Sequence, residues 1–341
     1  MTQGPHRANN FDGIRLIAAM AVVVSHQHTL TGRSSPNLGV GDLGYLGVLV
    51  FFAVSGFLVM ESWVRQAGPG LFLRNRLLRI WPGLAVSVLF MAFLVGPLAT
   101  QLSLAEYFTH PDFFKFFKFF KILYLDSLQV LPGVFVTLPY PNTVNGSLWM
   151  VPVEFKCYLL LAGLGTLNLF RNKLLGVATL SATGGFLLLV HGDQFDLHAP
   201  ERRQGTEFSL VFLLGALMAL TRPVWISRKA TACAGFLIAA ASLIFVNLTL
   251  HAVLLLFGGV SVLLGTARLP VLSNLGKYGD FSYGIYIYAF PIQQLFIYWG
   301  LLTLPFVTGL ALTLIAVLLL AMVSWHHIEK PALEMKRSDK T

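Results

Sequence analysis

Ionisable side chains interrupt the first apolar run of this chain in a regular way. In FDGIRLIAAMAVVVSHQHTL, residues 11–30, Asp12, Arg15, His26 and His28 stand among Leu, Ile, Ala and Val. Arg15 and His26 are 11 residues apart. At ~100° per residue this is about three turns plus 20°, so they share one helical face, ~16 Å apart along the axis. Asp12 falls ~40° from the same line, and His28 is turned ~200° away from His26. A neutral imidazole takes protons near pH 7, and a guanidinium holds anions. An Arg or Asp exposed at mid-bilayer costs ~2.5–3.5 kcal/mol on insertion scales, so such a stripe predicts a bundle interior or a wet cavity. The plainer readings are an Asp12–Arg15 pair at the headgroups and a hydrogen-bonded packing role for His26.

The elements that must position these groups are apolar helices. The chain has 341 residues, 56% hydrophobic and 11% charged, with a mean hydropathy of +0.72. A soluble domain would be about a quarter charged. Apolar blocks at about 11–31, 44–63, 80–98, 147–168, 174–191, 207–221, 231–247, 250–266, 282–301 and 304–326 have lengths suited to a ~30 Å hydrocarbon layer. The pattern predicts an all-α, polytopic integral membrane bundle of about ten transmembrane helices. It predicts one transmembrane domain over 1–341, with no appended soluble domain. Basic residues such as Arg65, Arg74, Arg76, Arg79, Arg171, Lys173, Arg222, Arg228 and Lys229 gather on one side. They outnumber Arg33, Lys115, Lys118, Lys121, Arg202 and Arg203 on the other, which predicts both termini in the cytoplasm. The same bias accounts for the net charge of +9, and no nucleic-acid partner is expected. The interrupted first run does not read as a cleavable signal. Cys157 and Cys233 lie in apolar runs and predict no disulfide.

The connection 99–146 is the long one. Its FFKFFKFFKIL, residues 113–123, reads as an interfacial helix with lysines toward headgroups, or as a lid over an outward site. Glu154, inside the block at 147–168, is an intramembrane carboxylate and so a functional candidate. Its plainer role is a salt bridge. Pro152 predicts a kink there. Trp149 suits either a sugar ring or the outer aromatic belt. Gly47, Ser55 and Gly56 are small enough for close helix packing or for approach of a substrate. No zinc-type cluster and no P-loop is visible, so no metal is expected.

Six motifs in order then resemble the acyltransferase 3 family of membrane O-acyltransferases, over almost the whole chain. They are FDGIRLIAAMAVVVSH (Arg15, ten residues, His26), GYLGVLVFFAVSGFLV, RNRLLRIWP, GSLWMVPVEFKCYLLL, FSYGIYIYAFPI and IEKPA. Ala53 and Ala289 depart from the family, which often has a bulkier residue and a His at these places. The resemblance implies transfer of an acyl group, usually acetyl, from cytoplasmic acyl-CoA (acetyl-CoA) to a hydroxyl of a polysaccharide, lipopolysaccharide or lipid-linked glycan. It implies a multi-pass protein of a bacterial inner membrane. Arg76 and Arg79, with Arg15 one step deeper, would bind acyl-CoA. His26 would be the general base, and Glu154 would orient it or balance its charge. Asp12, Ser55, Gly56, Trp149 and Tyr283 would support the site. Two other jobs fit the residues: an acyl-relay subunit feeding an outer enzyme, and a proton-coupled transporter using Asp12, Glu154 and His26. The acceptor and the oligomeric state are not encoded in any motif.

Overall fold

The computed structural model describes residues 10–65, 68–117, 130–191, 205–267 and 269–335. Its regular elements there are helices, with two isolated bridges besides. They are α1 (Phe11–Leu30), α2 (Leu43–Arg65), α3 (Pro69–Ala99, with a π turn at Met91–Val95), α4 (Leu104–Thr109) and α5 (Pro111–Phe116). Then follow α6 (Met150–Thr166), α7 (Lys173–Val190), α8 (Thr206–Leu220), α9 (Arg222–Trp225) and α10 (Lys229–Phe245). The last are α11 (Thr249–Gly265), α12 (Pro270–Leu275), α13 (Ser282–Tyr298) and α14 (Phe306–Glu334, with a π turn at Trp325–Glu329).

Among these, α2, α3, α7 and α14 are each long and apolar enough to cross a bilayer. A fifth span forms if α11 and the helix after it, bent by 76°, count together. The expected spans at 207–221 and 231–247 appear as α8 and α10, of 15 and 17 residues. At 1.5 Å per residue they reach only about 22 and 26 Å, short of a ~30 Å layer. The described residues are thus those of a helical membrane protein, with four to five spans among them that qualify on length and composition.

Packing centres on α2, which lies against α8, α1 and α11. A Cβ built on Gly56 would sit 1.9 Å from the Phe212 carbonyl oxygen, and one on Gly215 2.1 Å from that of Ala53. The two backbones touch, as small residues allow in membrane bundles. Gly56 is therefore a helix-packing glycine, and substrate has no room there. Helices α1 and α13 run parallel. Arg15 meets Asp280 just before α13, and Gln293 near its far end donates to the Val23 carbonyl and Gln27 Oε1, both at 2.9 Å.

One segment departs from expectation. The block at 147–168 is not helical from its start: residues 143–149 enter the bundle as turns, and α6 begins at Met150. Val144, Asn145, Ser147 and Leu148 are buried. Irregular backbone survives at such depth only inside protein, and several of its polar groups are met there. Asn145 Nδ2 donates to the Ile287 carbonyl at 2.9 Å. That carbonyl is the one left open by Pro291, which has no N–H for the residue four before it. The Tyr286 hydroxyl donates to the Ser147 carbonyl, and Ser147 N–H donates to Asn145 Oδ1 at 3.0 Å. Pro152 thus falls in the first turn of α6, where a missing N–H costs nothing, and it opens the helix instead of kinking it.

The long connection holds α4 and α5 under an aromatic cluster of Phe93, Tyr107, Phe108 and Phe113. The Tyr107 hydroxyl donates to the Ala92 carbonyl in the π turn at 2.7 Å. Of the lysine stripe, Lys115 pairs with Asp112 at 2.7 Å. Lys118 and Lys121 lie outside the described residues.

Candidate functional site

A cavity opens between α1, α2, α3, α6 and α13. Arg15, Arg76, Arg79, Ser55, Glu154, Tyr158, Tyr283 and Tyr286 line it, with Phe51, Met150 and other apolar groups. The sequence therefore named most of its polar wall. The residue that organises the wall was not among those named. Asp280 accepts from Arg15 Nη1 at 2.5 Å and from Arg79 with its Oδ2. Its Oδ1 accepts from the Ser282 hydroxyl at 2.5 Å, where α13 starts. Burial works to raise the Asp280 pKa, but the two guanidinium groups and Ser282 outweigh it and hold the carboxyl below the usual range. One carboxylate thus fixes two cations, each of which keeps further N–H donors for another anion.

Arg15 also lies over the Phe51 ring at 5.9 Å. Arg79 lies over Tyr283 and Trp325, each at 6.0 Å. The Tyr283 hydroxyl is spent on the Ile80 carbonyl at 2.8 Å, so the residue braces α3 against α13. Arg76 is held loosely: Nη2 donates to Ser62 Oγ at 3.3 Å, and its buried Nε has no partner among the described residues. Asp12 packs against Gly276, beyond α12. In the terminal IEKPA motif, Glu329 is 1% exposed and ends the π turn that Trp325 opens. It accepts from Ser324 Oγ at 2.9 Å, and its Oε2 has no partner among the described residues.

Glu154 lies elsewhere than the sequence suggested. Its Oε1 accepts from Ser55 Oγ at 2.6 Å and from the Tyr158 hydroxyl at 2.5 Å. Ser55 sits level with the first turn of α1, since Phe57, two residues further on, stacks on Phe11 at 5.3 Å. Glu154 therefore belongs to the arginine end of the bundle, and no hydrogen bond joins it to His26. The late start of α6 carries it there. Trp149 packs on Phe208 at 5.3 Å and is 36% exposed, so it faces outward from α6 and does not line the cavity.

His26 occupies the other end of α1. Its ring meets Phe290 edge-on at 5.3 Å, and Phe290 in turn packs on Tyr140 at 6.0 Å and on Gly146. Its Nδ1 is buried without a hydrogen-bond partner among the described residues. The acidic group whose charge acts on it is Asp42, at the start of α2. His28 packs on Phe306 of α14 at 4.4 Å, away from His26 as its angle predicted. Arg15 and His26 thus both face α13, one at Asp280 and one at Phe290. Between them lie Tyr286, Asn145 and Ser147, whose Oγ is also buried without a partner.

Comparison with known proteins agrees with this arrangement of motifs. The family model of the acyltransferase domain matches residues 9–326. The chain is 30% identical over 341 residues to an O-acetyl transferase of Shigella phage Sf6, covering 95% of this chain and 96% of that one. It is 28% identical over 371 residues to Nodulation protein 10 of Rhizobium leguminosarum bv. viciae, covering 98% and 95%. No solved structure matches the chain. With the family model spanning all but the ends and the stripe of α1 in its place, the protein belongs to the acyltransferase 3 family.

Proposed function

We propose that this acyltransferase moves an acyl group, acetyl in the first instance, from acyl-CoA to a hydroxyl of a cell-surface or lipid-linked glycan. The arginine end faces the cytoplasm of a bacterium and the His26 end faces outward across the inner membrane. On this reading the helices too short or too polar to qualify alone complete about ten crossings, and both termini are cytoplasmic. Arg76, Arg79 and Arg15 take the phosphates of the donor, and the thin pantetheine arm runs along the α1–α13 seam. His26 takes the proton of the acceptor hydroxyl as its oxygen bonds to the thioester carbonyl carbon. The carbon–sulfur bond breaks, and the imidazolium returns the proton to the departing thiolate.

What carries this reading is that Arg15 and His26 face the same helix at opposite ends, ~16 Å apart by helix geometry. Glu154 has no place in the proton transfer here. It holds Ser55 and Tyr158 and offsets the charge of Arg76.

The test is acetyl-CoA turnover by detergent-purified protein, with and without a glycan extract. Free thiol and acetylated glycan should appear together and only with acceptor. Thiol release without acetylated glycan, with acetyl left on the protein, would point to a relay subunit instead.

A further inference from the structure

A second cavity lies across α2 from the first. Ser55, Leu58, Val59 and Ser62 share one face of α2 with the arginine-lined cavity. Met60, Glu61 and Val64 stand on the opposite face and line a separate cavity, together with Leu220 and Phe170. Its rim carries Arg65, Arg171, Lys173 and Arg222.

The rim's charges do not cancel. Glu61 is its one carboxylate, and it is engaged by Arg222 and, at 3.6 Å, by Arg65. Among the described residues, no side-chain hydrogen bond or ion pair is made by Arg171 or Lys173. Beside them α7 packs on α8 and leaves the rest of its surface bare: of its residues Gly176 and Leu180 are buried, and Leu174 and Leu189 are 81% and 87% exposed. A bare apolar helix faces lipid in a membrane, so the cavity opens sideways at the headgroup level.

We propose that this cavity binds one anionic phospholipid, with its phosphate among Arg171, Lys173 and Arg222 and its acyl chains along the α7–α8 groove. An apolar floor under unneutralised cations matches a negatively charged amphiphile. A soluble phosphate would gain nothing from the floor. A zwitterionic lipid brings a cation of its own, for which Glu61, already engaged twice, has little to offer. Basic pockets between transmembrane helices are of the kind that hold anionic headgroups. Lying on the far face of α2, the site is separate from the one proposed for the acyl donor.

The test uses the full chain, delipidated in neutral detergent and titrated with phosphatidylglycerol or phosphatidylcholine. Bound lipid is read by native mass spectrometry and stability by thermal unfolding. Phosphatidylglycerol should be retained and should raise Tm, and phosphatidylcholine should do neither. Arg171→Gln with Lys173→Gln should weaken phosphatidylglycerol on the order of tenfold, and Lys173→Glu alone should weaken it too. Arg228→Gln with Lys277→Gln, at other connections, should leave it unchanged. Equal losses in both pairs, equal retention of both lipids, or full displacement of phosphatidylglycerol by inorganic phosphate would each overturn the proposal.

Discussion

The two ends of α1 are built in opposite ways. At the Arg15 end, charge is abundant and shared: two guanidinium groups on Asp280, and Ser55 and Tyr158 on Glu154. At the His26 end the neighbours are rings, amides and buried backbone, and His26 Nδ1 has no partner among the described residues. The difference matches the two demands of acyl transfer. Holding a polyanion needs cations already fixed in place, so that little ordering is left for binding. Taking a proton needs a base that is not tied up in an ion pair.

The contrast can be broken from either side. The largest effect expected is from His26→Ala. Transfer should fall by about 10²–10⁴, the usual worth of a positioned base, while acetyl-CoA binding stays within about twofold. Radiolabelled transfer and equilibrium binding on the same preparation would show this. Asp280→Asn comes next, because it strands two buried guanidinium groups. Removing one partner of such a pair costs about 3–5 kcal/mol, and thermal unfolding should show it together with weaker donor binding. Arg76→Gln should leave the fold intact and cost one charge-assisted contact. At about 1.5–3 kcal/mol, that is roughly a tenfold to hundredfold loss in acetyl-CoA affinity by calorimetry. Asn145→Ala should cost about 1–3 kcal/mol by leaving the buried Ile287 carbonyl unmet. Its loss should shrink but not vanish in the background of Pro291→Ala, which restores the N–H to the Ile287 carbonyl but not the acceptor of Ser147 N–H. Asp42→Asn should be the mildest, a few-fold change in the rate of transfer with no change in donor affinity.

Sequence made the stripe on α1 legible because a long helix converts spacing into direction with little error. The face shared by Arg15 and His26, and the opposite heading of His28, follow from rotation alone. Depth was not legible in the same way. The apolar run from Ser147 onward looks helical from its first residue, yet Asn145 and Ser147 are held by Ile287 and Tyr286 more than a hundred positions away. That delay in the helix start moved Glu154 from the neighbourhood of His26 to that of Arg76. Asp280 escaped notice for a related reason. An acid just before an apolar helix reads as a cap, and it does cap α13 through Ser282. Its second role depends on partners 265 and 201 residues distant, which no local pattern records. Four to five of the expected crossings qualify alone among the described residues, because apolar composition marks a helix as lipid-compatible without fixing its length. Helices α8 and α10 are mostly apolar, but at 15 and 17 residues they are as short as the apolar blocks that announced them.

Separating affinity from rate tests the division of labour most directly. Transfer would be followed across a full acetyl-CoA titration for the native chain, Arg76→Gln and His26→Ala, with donor binding measured in parallel. The division predicts that Arg76→Gln recovers its kcat at saturating donor, whereas His26→Ala binds donor normally and stays inactive at every concentration. It is contradicted if His26→Ala loses donor affinity as Arg76→Gln does, or if Arg76→Gln remains slow at saturation.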